Sequence, residues 1–555
     1  MTVRKGPLVV GTERKVWCYM DHPRAKEAVR ALAIFAELIK SPPQVREYRI
    51  TELSLWHACA LGWGSRDVLE TLRDLAMGPI PYPVQKWIVF TMNRWGGLVL
   101  EKSGNRYQLL ARQPLSEDVR QALQQSGLQE RGDRWIVPAR QRGEIKRQLL
   151  SLGYPVLDMA GYAPGEPLDM ALKGTVILRP YQEEAVQAFF DEGRHGGSGV
   201  VVLPCGSGKT IVGLAVMARY RRQTLVLTST TTAAYQWKRE IEDKCEIAPD
   251  SIGVYAGDER VIKPVTISTY ALMTWKNPRG AMPHLRELAR HPWGLVIYDE
   301  VQLVPAPIFR FSAGIQNCRR LGLTATLVRE DGRETEVFSL IGPKCFDLPW
   351  RTVEEEGWIA RAECYELRVP LDPAVEEAYR QAESRERWRI AATNPRKLEV
   401  AAELVARHRG TPVLVIGHYL DQLRELAHRL GAPDITGDTP ERVRRETYDA
   451  FRRGEIPVLC LSRVANTAVD LPDARVAVEL SGNFGSRQEE AQRLGRLLRP
   501  KQDGGGARLY MLVTEGTEEV ETAVRRQQFL AEQGYEYRIF AVRAGVEHAF
   551  DGVSQ

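Results

Sequence analysis

The sequence predicts an α/β protein with two lobes, each built on a parallel sheet, preceded by a mixed α+β, winged-helix-like region. Three observations carry this. From Gly199 onward, short Val/Ile/Leu runs alternate with amphipathic helical stretches: "GVVVLP", "TLVLTS", "VTIST", "GLVIYDE" and "RRLGLTAT". A second series follows: "TPVLVIG", "IPVLCLS", "ARVAVELSG" and "ARLYMLVT". Strands that are apolar without alternation are covered on both faces, as in parallel sheets, and two series call for two lobes. Residues 1–170 have a different texture, with helical periodicity first and a hairpin after it.

In that first region, "RAKEAVRALAIFAELIK" places Val29, Leu32, Phe35 and Ile39 at helical spacing, and "SRDVLETLRDLA" does the same with Val68, Leu69, Leu72 and Leu75 behind a Ser65 cap. "GGLVLEKSGNRYQLLA" reads as a hairpin turning at Ser103, Gly104 and Asn105. Such a unit binds DNA in some proteins and is plain scaffolding in others. Between the two lobes, "DPAVEEAYRQAESRERWRIAATNPRK" is polar, helical and rich in arginine around Trp388. It is either a solvated helical excursion or an element that touches nucleic acid. The expected boundaries are 1–170, 171–350 and 351–540, with an inserted element near 372–397 and a tail at 541–555.

Composition excludes several classes. A length of 555 residues exceeds what one core supports and suggests about three or four domains. With 44% hydrophobic and 26% charged residues the chain reads as globular. No apolar stretch is long enough to span a bilayer, and "MTVRKGPLVVGTERK" lacks the apolar core of a secretory signal, so a cytoplasmic protein with no membrane partner is expected. The eight cysteines are dispersed, with no C-x-x-C pair, which argues for reduced thiols rather than zinc or iron–sulfur ligands. A net charge of +5 permits a polyanionic partner without demanding one.

The chemistry is concentrated in a few stretches. "LPCGSGKT", residues 203–210, follows the first strand of the first lobe. Gly206 and Gly208, with Ser207 between them, let the backbone curl so that N–H groups point inward. Lys209 can then reach the β- and γ-phosphates of a nucleotide, and the Thr210 hydroxyl can hold Mg²⁺. The strict phosphate-loop pattern wants glycine where Leu203 stands. "LVIYDEVQ", residues 295–302, ends an apolar strand in Asp299 and Glu300. Carboxylates at the carboxyl end of a neighbouring parallel strand face the crevice of the phosphate loop. Asp299 would complete the Mg²⁺ sphere and Glu300 would polarise an attacking water. Alone, an acidic pair closing a strand is a helix cap or a solvated loop. In the second lobe, "QRLGRLLRP" puts Gln492, Arg496 and Arg499 on one helical face, where the arginines are either solvated or serve as arginine fingers.

In order along the chain, "LRPYQ" (178–182), "LPCGSGKT", "DEVQ", "LTAT" (323–326) and "QRLGRLLRP" resemble the superfamily 2 helicases. "LGLTATLVREDGRE" (321–334), "RGEIKRQLLSLGYPVLDMAGYAPGEPL" (142–168) and "RRQQFLAEQGYEYRIF" (525–540) narrow the resemblance to the XPB family of DNA repair helicases, over about Tyr48 to Phe540. The resemblance implies RecA-like lobes and an ATP- and Mg²⁺-dependent motor. That motor would track DNA 3′ to 5′ and open forked, bubbled or damaged duplex in nucleotide excision repair, in microbes with a possible nuclease partner and a place at the nucleoid. It implies adenine reading by Gln182 beside Arg179, and coupling of ATP state to the DNA track by Thr324, Thr326 and Asp470. It further implies a strand-opening element of Arg329, Glu330 and Asp331, a thumb-like insertion near Trp388, and an amino-terminal domain that senses DNA distortion.

Two positions depart from the family. Gln302 stands where relatives carry histidine, which titrates near neutral pH whereas glutamine offers a fixed donor and acceptor, so activity without a histidine-linked pH dependence is expected. Ala465 and Asn466 replace a usual Gly-Asp. Other readings are a duplex translocase or protein–DNA remodeller without unwinding, a DNA-binding scaffold with a decayed motor, and an RNA substrate. The intact Lys209, Thr210, Asp299, Glu300, Arg496 and Arg499 weigh against the scaffold. A cluster-bearing helicase of opposite polarity is disfavoured because only Cys245 lies between the phosphate loop and Asp299.

Overall fold

The computed structural model describes residues 6–40, 44–104, 106–195, 197–204, 206–316, 318–325, 333–348, 357, 362–462, 474–481, 506–532, 536–542 and 546. The chain divides into two compact units, with the main break between Leu348 and Pro349.

The first unit begins with a four-stranded sheet ordered Leu8–Val10, Lys15–Tyr19, Val45–Arg49, Glu37–Lys40. Helices Ala25–Phe35, Glu52–Ala60, Ser65–Leu75 and Tyr82–Asn93 pack with it around Leu32, Phe35, Leu55, Leu72 and Ile88. The first of these stops earlier than its periodicity predicts. Ala36 turns extended (φ −142°, ψ 152°) and Ile39 falls in an edge strand, because pairing in the sheet outweighs helix continuation for "ELIK". Ser65 is the first helical residue rather than the cap. Gly64 occupies that position and its N–H donates to Asp67 Oδ2 at 2.7 Å.

The predicted hairpin is present as Leu98–Ser103 antiparallel to Arg106–Ala111, inside a five-stranded sheet closed by Val156–Asp158, which runs parallel to Leu98–Ser103. Helix Arg142–Ser151 packs its Ile145 and Leu149 into this sheet's core with Leu109, Leu123 and Trp135. Its charged residues do not all face water. Arg142 donates to both carboxylate oxygens of Asp158, from Nε at 3.0 Å and Nη2 at 2.7 Å. Lys146 Nζ donates to Asp158 Oδ2 at 2.9 Å and to Gln316 Oε1 at 2.7 Å. Gln316 in turn donates to the carbonyls of Ser312 and Leu340, so this buried cluster ties the amino-terminal region to the first lobe. Burial lowers Lys146 to about 8 despite the pull of Asp158, and Arg320 and Arg142 push the same way. Trp56, His57 and Trp95 close the same interface around Phe338.

The first lobe is a seven-stranded, all-parallel sheet ordered Ile252–Tyr255, Val265–Thr269, Thr224–Thr228, Leu295–Asp299, Arg319–Thr324, Gly199–Val202, Lys344–Asp347. Val200, Leu225, Leu227, Val296 and Tyr298 form its core with Ile308 and Val337 from the covering helices. Register places Val202 opposite Thr324 and Asp299 opposite Leu323. The carboxyl ends of three strands therefore share one edge.

The second unit is also a seven-stranded parallel sheet, ordered Asp434–Ile435, Val458–Ser462, Val413–Gly417, Val476–Glu479, Ala507–Thr514, Ala362–Val369, Glu536–Ala541. Between Ala362–Val369 and Val413–Gly417 lie helices Pro373–Gln381, Ser384–Ala392 and Arg396–Arg407. Trp388 is buried, whereas Arg380, Arg385 and Arg389 are exposed. Lys397 and Glu519 form a fully buried ion pair at 2.6 Å, and Glu519 also accepts the Thr514 backbone N–H, which locks helix Arg396–Arg407 to the sheet.

Candidate nucleotide site

The site grows from the edge where Gly199–Val202 ends. Leu203 stands where glycine was wanted because the chain is still in the sheet there: it is buried and its N–H donates to the Thr324 carbonyl at 2.9 Å. The turn begins after it. Gly206 (φ +78°) and Gly208 (φ +84°) both occupy the left-handed region, and Gly208 caps helix Lys209–Tyr220. A Cβ on Gly208 would lie 2.6 Å from Gln182 Nε2, so glycine here also lets Gln182 approach the loop. Gln182 is buried on the helix Pro180–Phe189, its Oε1 accepting the Arg179 N–H at 3.0 Å, while the Arg179 guanidinium donates to the Tyr181 hydroxyl at 2.9 Å. Ser207 is buried, and Thr210 sits in the first helical turn.

Lys209 Nζ lies 3.7 Å from Glu300 Oε1. Glu300 follows the strand with φ +52°, a left-handed conformation that swings its carboxylate back toward the loop. The other oxygen, Oε2, accepts from Gln302 Nε2 at 2.8 Å, and Gln302 Oε1 accepts from the Thr324 hydroxyl at 2.6 Å. A continuous chain of contacts thus runs Lys209, Glu300, Gln302, Thr324. Both ends of the Gln302 amide are engaged, which explains how a non-titrating side chain serves at this position. Asp299 Oδ2 accepts from Trp237 Nε1 at 2.9 Å, and its backbone carbonyl accepts from the Tyr270 hydroxyl at 2.8 Å. Burial, and then the adjacent Glu300 charge, push the Asp299 carboxyl up to about 6.

The structure brings Lys209, Glu300, Gln302 and Thr324 into one run of contacts, with Asp299 beside Glu300; the Gln302–Thr324 contact was not foreseen from the sequence. Sequence reasoning also missed Trp237 and Tyr270, which hold Asp299 from helices Thr231–Lys244 and Tyr270–Thr274. The helix after Thr228 is the only local signal for Trp237, and it marks a fold rather than a contact. Thr326, Arg329, Glu330, Asp331, Asp470, Gln492, Arg496 and Arg499 lie outside the described residues.

The residues present fit a magnesium nucleotide. Two adjacent carboxylates with one lysine, one of them pushed up toward protonation, form a donor set that a divalent cation relieves. Among the described residues there is no cluster of three or more His, Cys, Asp and Glu that could hold a metal ion. The seven described cysteines are thiols rather than disulfides.

Residues 353–553 match the ERCC3/RAD25/XPB C-terminal helicase family, residues 175–329 the res subunit of type III restriction enzymes, and residues 10–131 a helicase conserved C-terminal domain. A protein of Kineococcus radiotolerans named DNA 3'-5' helicase XPB is 48% identical over 542 residues, covering 96% of both chains. The chain belongs to the XPB family of DNA helicases. Another XPB of the same name, from Mycobacterium tuberculosis, is 47% identical over 96% of this chain and 97% of its own. A more distant XPB relative in Saccharomyces cerevisiae, 29% identical over 95% of this chain and 71% of its own, is named a helicase/translocase subunit of a general transcription and DNA repair factor. The fold is also shared with the ATP-dependent restriction-modification enzyme LlaBIII bound to DNA (TM-score 0.50, 13% identity, 68% of this chain and 32% of that one). Among the described residues of this XPB-family chain, no helix is long and apolar enough to cross a membrane.

Proposed function

We propose that the chain is an ATP-driven helicase that moves 3′ to 5′ and opens duplex DNA during nucleotide excision repair, with ATP hydrolysed at the Lys209, Asp299 and Glu300 edge. The chain of contacts from Lys209 through Glu300 and Gln302 to Thr324 carries this reading, because it joins a phosphate-sensing cation to a residue at the end of a different strand. Lys209 would bind the terminal phosphates, and Thr210 and Asp299 would hold Mg²⁺, which supplies charge neutralisation during phosphoryl transfer. Glu300 orients the attacking water and takes its proton. When Glu300 gains that proton its pull on the Gln302 amide weakens, and Thr324 is released or regripped. Hydrolysis is thereby linked to motion.

In the second lobe, Arg496 and Arg499 would stabilise transferring charge with Gln492 beside them, and Asp470 would couple the DNA track to the nucleotide, as would Thr326. Arg329, Glu330 and Asp331 would separate strands, and the helices around Trp388 would act as the thumb. A nuclease partner is part of the same proposal. The test is ATP hydrolysis without nucleic acid, with single-stranded DNA, with forked duplex and with matched RNA, using Lys209→Ala as the blank. Stimulation by DNA, greatest on the fork, is expected; equal turnover in every tube overturns the reading.

The helicase/translocase name of the yeast relative favours a second reading, a motor on duplex DNA that does not unwind by itself. Triplex displacement without strand separation would select it.

A further inference from the structure

The amino-terminal helix Tyr82–Asn93 buries Val84, Ile88, Thr91 and Met92 and turns a different kind of face outward. Tyr82 and Phe90 are 67% and 59% exposed, unusual values for large rings. They alternate with cations at helical spacing. Lys86 Nζ stands over the Tyr82 ring, 5.4 Å from its centre. The Arg94 guanidinium lies 4.4 Å from the Phe90 ring and 4.5 Å from that of Tyr154, held there by a bond to the Gly153 carbonyl at 2.9 Å. Tyr82, Lys86, Phe90, Arg94 and Tyr154 thus form one ladder of rings and positive charges along the surface. No acidic residue occurs between Asp74 and Glu101.

Cation–π contacts in water are weak and do not account for two large rings left exposed. A protein-binding patch would be a contiguous apolar area, whereas here each ring is separated from the next by a charge. We propose that this ladder is a platform for unpaired DNA, with bases stacking on Tyr82 and Phe90 and the intervening phosphates facing Lys86 and Arg94. Eight residues of helix separate the rings by about 12 Å, a span of two to three unstacked nucleotides. Every base has a π-face and every linkage a negative charge, so the fit is to single strands without sequence preference. The inference rests on the reading of the chain as a DNA-opening motor, which generates the unpaired strand that the platform holds.

The test compares the full-length chain with its Tyr82→Ala/Phe90→Ala variant, both side chains being exposed enough to leave the fold intact. Anisotropy with a labelled oligo-dT and with a blunt duplex of equal length gives affinities, and ATPase without DNA gives basal turnover. At least tenfold weaker oligo-dT binding is expected, with basal turnover and duplex affinity unchanged. Tyr82→Phe/Phe90→Tyr should bind as the parent does, and Lys86→Ala should lower the salt slope by about one charge. Unchanged oligo-dT affinity overturns the platform, as does an equal loss on blunt duplex, since stacking needs unpaired bases. If the parent chain's ATPase ignores every DNA, the motor reading itself fails; if the parent responds and the variant binds as tightly as it does, only the platform fails.

Discussion

Asp158→Asn preserves the shape of the buried cluster that ties the amino-terminal region to the first lobe and removes its negative charge. In the native chain that carboxylate takes two bonds from Arg142 and one from Lys146, with 7% of the residue exposed. The amide would leave a guanidinium and an ammonium buried beside each other, with Arg320 adding to the repulsion. Breaking a buried pair this way costs about 3–5 kcal/mol, which for a unit of this size lowers its unfolding transition by roughly 4–7 °C. Calorimetry of the full chain without DNA measures it.

Two further results follow from the same physics. Lys146→Met added to Asp158→Asn should recover at least ~1 kcal/mol, because it removes a charge the asparagine cannot balance. The variant's loss should also shrink between pH 7 and pH 9. Lys146 lies at about 8 in the native protein, below its ordinary value of 10.5, even with Asp158 to favour its charge. With the carboxylate gone, the folded state sheds that proton more readily than the unfolded chain does, and its relative stability climbs with pH across the window. A loss under ~1 kcal/mol, or a double variant no more stable than the single one, would refute this account of the interface.

Glu300→Gln should bind nucleotide normally while turnover falls by roughly 10²–10⁴, read by comparing fluorescent-nucleotide affinity with phosphate release. Gln302→Leu removes the amide that links the Thr324 hydroxyl to Glu300 Oε2, and DNA-stimulated turnover should fall more than basal turnover; Gln302→His should restore activity but add a titration step in the histidine range that Gln302→Leu lacks. In the second unit, burial lowers His408 to about 4, where its Nε2 meets the Tyr510 hydroxyl at 2.9 Å. The unfolded chain therefore binds the extra proton first, and the contribution is full above about pH 6.5 and lost as pH falls toward 4. His408→Gln should flatten that part of a stability-against-pH curve measured by urea unfolding.

What could be read from the chain followed from how local each signal is. Runs such as "VLVIG" and "LVIYD" are apolar on both faces, and a strand buried on both sides needs no distant partner to be recognised. The strand Lys344–Asp347 ("KCFD") carries charge at both ends, and Ala362–Val369 alternates polar with apolar residues, so neither stands out although each lies in a sheet. Lys209, Asp299 and Glu300 are legible because loop and strand end each encode their own geometry. Trp237 on Asp299, and Lys146 on Gln316 from 170 residues away, exist only once the sheets are assembled. The helix "RGEIKRQLLS" looks as though it offers Arg142 and Lys146 to solvent, and both are buried.

Glu300 has a consequence for any effort to harden this protein against heat. A residue with a Cβ held at φ +52° carries a penalty of about 1–2 kcal/mol that glycine escapes and asparagine partly escapes. Selection on stability alone would therefore favour replacing this side chain, and with Glu300 in the role proposed for it the winners would be sturdy proteins unable to turn over ATP. Screens for robust variants should score turnover alongside melting, and an improved clone altered at position 300 should be suspected first of having traded its work for rigidity.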